Sequence, residues 1–201
     1  MTIGANISCS PLVSVAAVTG GYPFRGPVPE IPGGPLRVVQ MKDLAANAGV
    51  DWPGTVSTEL PGKRPPDLLR AGDVLVLVRG ARNPAVYLGD VPCAAVSSLH
   101  FFLLRLAAES KLLAEFLAWQ INQEPAQRYL AQNAAGTDQR SIRRAVLEAL
   151  PVVVPPLPTQ QTMLELARAA RREHDVLTGL IDTRQRELQA VARSMLEAPQ
   201  P

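Results

Sequence analysis

The sequence predicts an α+β fold, in which a globular domain of short twisted strands and small helices precedes a long C-terminal coiled-coil helix. Most of the chain alternates short apolar runs with turns rich in Pro and Gly, which is typical of short strands. The last segment has no proline before Pro199 and repeats apolar residues at helical spacing. We therefore expect a globular domain at residues 1–150, a proline-rich junction at 151–158 and a long helix at 159–198.

Composition limits the class of protein. The chain has 201 residues, 47% of them hydrophobic, and a formal net charge of only +2. Cys9 and Cys93 lie far apart without a CxxC pair, so neither a zinc site nor a disulfide framework is expected. No signal peptide is recognisable, and no apolar stretch reaches the ~20 residues of a membrane span. The expectation is a cytoplasmic protein without membrane contact.

Four apolar runs are predicted as strands. Three are bounded by turn residues or lie between polar segments: "PLRVVQM" (Pro35–Met41), "GDVLVLVRG" (Gly72–Gly80) and "LHFFLLRL" (Leu99–Leu106). The fourth is the β-branched run Val152–Val154. The segment "GYPFRGPVPEIPGG" (Gly21–Gly34) has too much Pro and Gly for a helix or a central strand, so it is predicted as an ordered surface loop.

Three short helices are predicted between the strands and the junction. "SKLLAEFLAWQIN" (Ser110–Asn122) has apolar residues at helical spacing. Pro125 is expected to begin a second helix that reaches about Asn133. The polar turn "AGTDQRSI" (Ala135–Ile142) is followed by a brief helix that ends at Leu150.

The junction separates two architectures. In "LPVVVPPLPTQQ" three prolines follow the strand, and each lacks an N–H group and fixes φ, so neither a ladder nor a helix interior can continue through them. Thr159 comes next and is predicted as the N-cap of the long helix, because its hydroxyl can accept from the first free N–H groups.

The long helix carries a heptad-like seam. Its members are separated by three or four residues along the segment, with some drift near His174. A helix about 60 Å long cannot bury such a seam against so small a domain, so we predict a partner helix. Arg184 within the seam has to pair or extend to solvent, and a polar seam residue can fix the register. The seam residues are Met163, Leu166, Ala170, His174, Leu177, Ile181, Arg184, Leu188, Val191 and Met195.

Catalytic motifs are not recognisable in the sequence. "NPAV" (Asn83–Val86) departs from the methyltransferase motif at two positions, and no phosphate-binding GxxxxGK[ST] occurs. "PDLLRAGD" (Pro66–Asp73) lacks the acidic-x-Lys pair of a nuclease, and His100 and His174 are interpreted as packing residues. We expect no catalytic residue, no metal and no cofactor.

Five segments in order resemble the specificity (S) subunit of type I restriction–modification systems. They are "GYPFRG" (Gly21–Gly26), "LRVVQMKDL" (Leu36–Leu44), "LRAGDVLVLVRG" (Leu69–Gly80), "GTDQRSI" (Gly136–Ile142) and "LPVVVPPLPTQQ" (Leu150–Gln161). Typical S subunits carry two target-recognition domains and two long helices, whereas this chain has one of each and so resembles half of one. The family often has Glu before Gln at the helix start, where this chain has Thr159.

The resemblance implies a non-catalytic subunit that reads one half-site of double-stranded DNA and recruits methyltransferase (M) subunits and, in some complexes, a restriction (R) subunit for DNA methylation and cleavage. The long helix would be the spacer between two readers, and pairing with a second copy would give a homodimer. The alternative is a coiled-coil interaction protein that recognises protein or RNA. The modest net charge keeps that alternative open.

DNA recognition requires basic and bidentate side chains on loops. Several candidates also have a structural interpretation: ordinary solvated surface for Lys63 and Arg64, an ion pair for Arg79, a solvated helix face for Arg143 and Arg144, and a helix cap for Thr137 and Gln139. The candidate DNA-binding residues are Tyr22, Arg25, Lys42, Lys63, Arg64, Arg79, Arg82, Thr137, Gln139, Arg140, Arg143 and Arg144.

Overall fold

The computed structural model describes residues 9–45, 49–60, 66–136 and 140–196, with side chains given throughout except at Ala45. Within these ranges, the chain forms short strands, three short α-helices and one long α-helix. The strands are β1 Cys9–Pro11, β2 Ala16–Gly20, β3 Leu36–Val39, β4 Leu44–Ala45, β5 Gly49–Val50, β6 Val56–Thr58, β7 Val74–Leu77, β8 Ala85–Tyr87, β9 Ala95–Ser97, β10 Phe101–Leu106 and β11 Pro151–Val153. The helices are α1 Ala114–Ile121, α2 Glu124–Asn133, α3 Arg144–Glu148 and α4 Leu157–Leu196.

Two sheets form the body of the domain. The larger is antiparallel with strand order β2-β10-β7-β8, and the smaller has the order β6-β3-β9, in which β3 and β9 are parallel. Two short antiparallel pairs, β1 with β11 and β4 with β5, complete the described strand pairing. The predicted α+β class is therefore confirmed.

The core lies on both faces of β7, because all four of its residues are buried. Leu75 and Leu77 belong to an apolar cluster with Val39 of β3 and Phe101 of β10, which joins the two sheets. Successive side chains of a strand point to opposite faces. Val74 and Val76 therefore face the other side, where α1 packs against β7 and β8.

The strand and helix predictions hold with shifted ends. The helix predicted from Pro125 to Asn133 is observed as α2, with Pro125 in its first turn. Helix α1 begins later than Ser110, because Leu113 is its N-cap residue. The segment 21–34 contains neither helix nor strand apart from one isolated bridge at Tyr22.

The N-cap prediction for Thr159 was wrong. Helix α4 begins at Leu157, so Pro158 and Thr159 both lie in its first turn. Proline is tolerated there because the first N–H groups of a helix have no intrahelical partner.

By compactness the chain divides into one unit up to Gln161 and a second from Thr162 onward. The assignment of functional roles to 1–150, 151–158 and 159–198 stays a prediction.

Candidate nucleic-acid interface

Several strand ends meet at one edge of the domain. Gly20 at the end of β2 pairs with Phe102, and Leu77 at the end of β7 pairs with Phe101, so both ends flank the start of β10. The parallel strands β3 and β9 end side by side, and β9 leads through a turn into β10. We call the segments that follow these ends the strand-end edge; it comprises residues 21–25, 40–42, 78–82 and 98–100.

A tight turn lies at the centre of this edge. The Phe101 N–H donates to the Ser98 carbonyl at 3.1 Å, which closes a four-residue turn with Leu99 and His100 in its middle. Neighbouring chains hold the turn in place: Ser98 N–H donates to Val39 at 3.0 Å, and the His100 carbonyl accepts from Val78 at 2.8 Å. The backbone of the turn is therefore fixed by β3 and by the chain after β7.

The loop after β2 packs on the same turn. The Tyr22 N–H donates to the Ser97 carbonyl at 2.7 Å, and Tyr22 forms an isolated parallel bridge with Ser98. A Cβ atom on Gly21 would lie 2.0 Å from the Ser98 carbonyl oxygen, so only glycine permits this approach. The Tyr22 and Phe24 rings then meet edge to face with centroids 4.9 Å apart. Arg25 follows on this loop and is exposed.

Three more candidate cations lie on the strand-end edge. Lys42 is exposed in a short 3₁₀ turn after β3, where buried Asp43 accepts the Gln40 N–H at 2.8 Å. Arg79 and Arg82 are exposed in the loop after β7. The structure thus places Tyr22, Arg25, Lys42, Arg79 and Arg82 on the segments that follow β2, β3 and β7 at this edge.

Arg140 joins this group from a distant part of the sequence. Its carbonyl accepts the Gly80 N–H at 3.1 Å, and the next residue, Ser141, bridges Arg79. Gly80 has a φ of +128°, which lets the chain turn away directly after Arg79. Arg140 is exposed.

Arg143 and Arg144 lie beyond this contact. Arg143 is the exposed N-cap residue of α3. The Arg144 guanidinium pairs with Glu148 one turn later at 2.7 Å, an exposed i,i+4 ion pair of the kind found on solvated helix faces. Four candidates, Lys63, Arg64, Thr137 and Gln139, lie outside the described residues.

Three carboxamide side chains hold the loop that carries Arg79 and Arg82 and the start of the strand that follows it. Asn83 is 5% exposed; its side chain donates to the Leu77 carbonyl at 2.8 Å, and its own N–H and C=O bind the Gln127 amide at 3.0 and 2.9 Å. The Asn122 amide likewise binds both backbone groups of Ala85, at 2.9 and 2.7 Å. Sequence reasoning missed these residues; the one signal was the Asn-Pro pair at 83–84, which marks a turn.

The cations of the strand-end edge are not neutralised by carboxylates within the described residues. Among the described residues, Arg25, Lys42, Arg79, Arg82 and Arg140 form no ion pair with a described carboxylate. The alternative that Arg79 serves in an ion pair therefore finds no partner carboxylate among the described residues. Exposed cations without a protein partner remain available for phosphate groups.

The acidic residues of "PDLLRAGD" lie at the opposite end of the larger sheet and serve a structural purpose. Asp73 has a side chain only 2% exposed and binds the Arg105 guanidinium with both oxygens at 2.8 Å. Asp67 adds a 2.9 Å contact to the same guanidinium. Hydrogen bonding to Asp73 is the main cause that raises the pKa of Arg105 above its ordinary value.

Across the described ranges, no group of three or more His, Cys, Asp or Glu side chains is arranged to hold a metal ion. None of the described helices combines the length and apolarity that a bilayer crossing requires.

Helix α4 presents its predicted seam to solvent. Leu166, Leu177, Ile181, Leu188, Val191 and Met195 are each more than half exposed. Ala170 and His174 are also exposed, whereas Met163 is half-buried. Arg184 pairs with Glu187 on the same helix at 2.9 Å, which meets the requirement that this seam cation has a partner.

Solved structures supply the comparison, whereas no protein-family model and no curated protein matches this sequence. The S subunit of a type I restriction–modification system from M. genitalium matches with a TM-score of 0.55 at 17% identity, over 96% of this chain and 47% of its own. The HsdS subunit from Thermoanaerobacter tengcongensis matches with a TM-score of 0.63 at 17% identity, over 98% of this chain and 45% of its own. A chain from a structure on complex assembly and conformational transition of the type I R-M system matches with a TM-score of 0.69 at 17% identity, over 98% of this chain and 47% of its own.

The chain has the fold of half a type I S subunit. It spans about half the length of the solved chains that it matches. The S-subunit resemblance in the sequence is thus confirmed at the level of fold, and two of its motifs acquire structural reasons. The Asp of "LRAGD" anchors Arg105, and the first Gly of "GYPFRG", Gly21, allows the loop to approach the Ser98 turn.

Proposed function

We propose that the protein binds double-stranded DNA sequence-specifically as the specificity subunit of a type I restriction–modification system. One observation carries the proposal: exposed cations without described ion-pair partners follow the ends of β2, β3 and β7 along the strand-end edge. The net charge of +2 gives no such indication, because it averages this edge with acidic surface elsewhere.

The edge supplies cations on anchored backbone, which is the positioning component of a DNA reader. Arginine and lysine contacts to phosphates position a protein on the duplex, and contacts to base edges supply specificity. Here the loop that carries Arg79 and Arg82 is anchored by the side chains of Asn83 and Gln127, and the strand that follows it by Asn122. Binding therefore orders few residues, which limits the entropic cost.

In this proposal the protein has no catalytic activity of its own. The acidic residues that most resemble a nuclease segment, Asp67 and Asp73, are bound to Arg105. Methylation and cleavage would come from M subunits and an R subunit recruited to the S-type fold, in the cytoplasm where the DNA substrate lies. The chain reads one half-site, and helix α4 acts as spacer and partner helix.

Salt-dependent binding of duplex DNA tests the proposal. Arg79 and Arg70 are exposed arginines at opposite ends of β7, so Arg70→Ala is a matched control. Arg79→Ala should flatten the log–log salt slope by about one unit, and Arg79→Ala with Arg140→Ala by up to about two, roughly one for each lost phosphate contact. Arg70→Ala should leave the slope unchanged. Equal slopes for all variants, or no binding by the wild-type protein, would overturn the proposed interface.

A second experiment tests the absence of catalysis. The purified chain, incubated with duplex DNA and a labelled methyl donor but without partner subunits, should incorporate no label. Addition of a cognate M subunit should produce incorporation. Methylation by the chain alone would contradict the assignment as a specificity subunit.

A further inference from the structure

We propose that Leu99 is a specificity-determining residue that contacts the C5-methyl group of a thymine in the major groove; this inference rests on the proposed DNA-binding function. Leu99 is 55% exposed, although the same turn leads into Phe101, which is completely buried. A solitary exposed leucine is ordinary on a protein surface. The position of this one is what distinguishes it.

Leu99 occupies the centre of the strand-end edge. The turn that carries it is bound to the chain after β7 through His100, next to Arg79, and to the loop after β2 through Ser97, next to Tyr22. Arg79 thus lies next to one side of the turn, and the loop that carries Tyr22 and, three residues later, Arg25 lies on the other side. When cations of these two loops contact phosphates, a residue on the turn between them faces the groove, where apolar side chains recognise the thymine methyl.

The backbone around Leu99 is also fixed before binding. The Phe101 N–H donates to Ser98 across the turn at 3.1 Å, and the Ser98 N–H donates to Val39 at 3.0 Å. An apolar contact without a hydrogen bond depends on distance alone, so it discriminates bases only when its backbone cannot adjust. The Ser98–Phe101 turn meets this condition.

The chain offers a matched control for Leu99. Val13 is also 55% exposed, but it lies in a 3₁₀ turn before β2, next to the strand end at Ala16. Ala16 pairs with Leu106, whereas Leu99 precedes the other end of β10. Val13→Ser therefore removes a comparable exposed apolar side chain at the opposite end of the sheet.

The test begins with selection from a random duplex DNA library by the wild-type chain, followed by single thymine-to-uracil replacements in the enriched half-site. At one position, uracil should weaken wild-type binding about fourfold, which corresponds to the loss of one buried methyl contact. Leu99→Met and Val13→Ser should keep this difference, and Leu99→Ser should abolish it while the preferences at other positions remain. Circular dichroism checks that each variant is folded.

The outcomes separate the inference from the proposed function. If the wild-type chain enriches a motif but uracil is tolerated at every thymine, or if Leu99→Ser keeps the thymine preference, the role of Leu99 is overturned and DNA recognition stands. If the wild-type chain enriches no motif, the proposed function fails and this inference fails with it.

Discussion

Partly buried carboxamide side chains hold single stretches of backbone in place in this domain. The Gln120 amide binds both the N–H and the carbonyl of Val153, at 2.7 and 3.1 Å, as the Asn122 amide does for Ala85. A carboxamide has a donor and an acceptor side by side, so it can satisfy an unpaired backbone residue as a neighbouring strand would. These residues hold the edge strands β8 and β11.

The partly buried Arg105–Asp73 pair gives a prediction for stability. Arg105→Met removes the partner of a nearly buried carboxylate and should lower the free energy of unfolding by about 3 kcal/mol, because the carboxylate stays buried without its cation. Asp67→Asn removes a carboxylate that is 43% exposed and should cost less than about 1 kcal/mol. Urea denaturation measures both, and equal losses would contradict the ranking.

Two adjacent glycines give a prediction for the interface. Gly21→Ala places a methyl group 2.0 Å from the Ser98 carbonyl oxygen, so the loop with Tyr22 must move; we expect a loss of about 1–3 kcal/mol and weaker DNA binding. Gly20→Ala meets no atom within 4 Å and should be tolerated in both measurements. Denaturation and duplex binding distinguish the variants, and a tolerated Gly21→Ala would show that the loop is not locked on the turn.

At the scale of elements, the sequence predicted correctly those helices and strands that depend mainly on neighbouring residues. The apolar run of β7 and the proline start of α2 were correct because burial and φ restriction act within a few residues. The start of α1 was placed too early, because its N-terminus depends on a residue far away in sequence. The Leu113 N–H donates to the side chain of Gln160 at 2.8 Å, and no local pattern announces that contact.

Gln160 gives the prediction for this scale. It is completely buried; its oxygen accepts from Leu113, and its nitrogen donates to the Lys111 and Pro155 carbonyls at 2.8 and 2.7 Å. Gln160→Leu leaves these backbone groups without partners and should destabilise the domain by about 2–4 kcal/mol. Gln161→Leu, at the exposed neighbouring position, should have little effect. Thermal unfolding of both variants checks this, and a Gln160→Leu variant as stable as Gln161→Leu would contradict it.

At the scale of the whole molecule, the candidate interface depends on strand register. The sequence indicated that Tyr22, Lys42 and Arg79 lie on loops, but not that these loops share an edge. That follows from the antiparallel pairing of β10 with both β2 and β7 and from the parallel pairing of β3 with β9. Such contacts join residues that are far apart along the chain, so composition and periodicity do not predict them.

The exposed seam of α4 gives the last prediction, which concerns assembly. The 40-residue helix has apolar residues more than half exposed along its length, and a second copy of the same seam would bury them through two-fold symmetry. We expect an antiparallel homodimer, because that direction puts one reader at each end of a spacer tens of ångströms long and matches an interrupted palindrome in DNA. Parallel pairing would bring both readers to one end.

Light scattering should give about twice the 21.6 kDa chain mass. Leu177→Glu with Ile181→Glu should return the protein to the monomer, because the paired seam would bury four unpartnered carboxylates. Thr183→Glu with Ala190→Glu adds the same charge on the other side of the helix and should leave the dimer intact. A wild-type chain that stays monomeric at high concentration would exclude self-pairing, and the seam would then need a helix of a different protein as its partner.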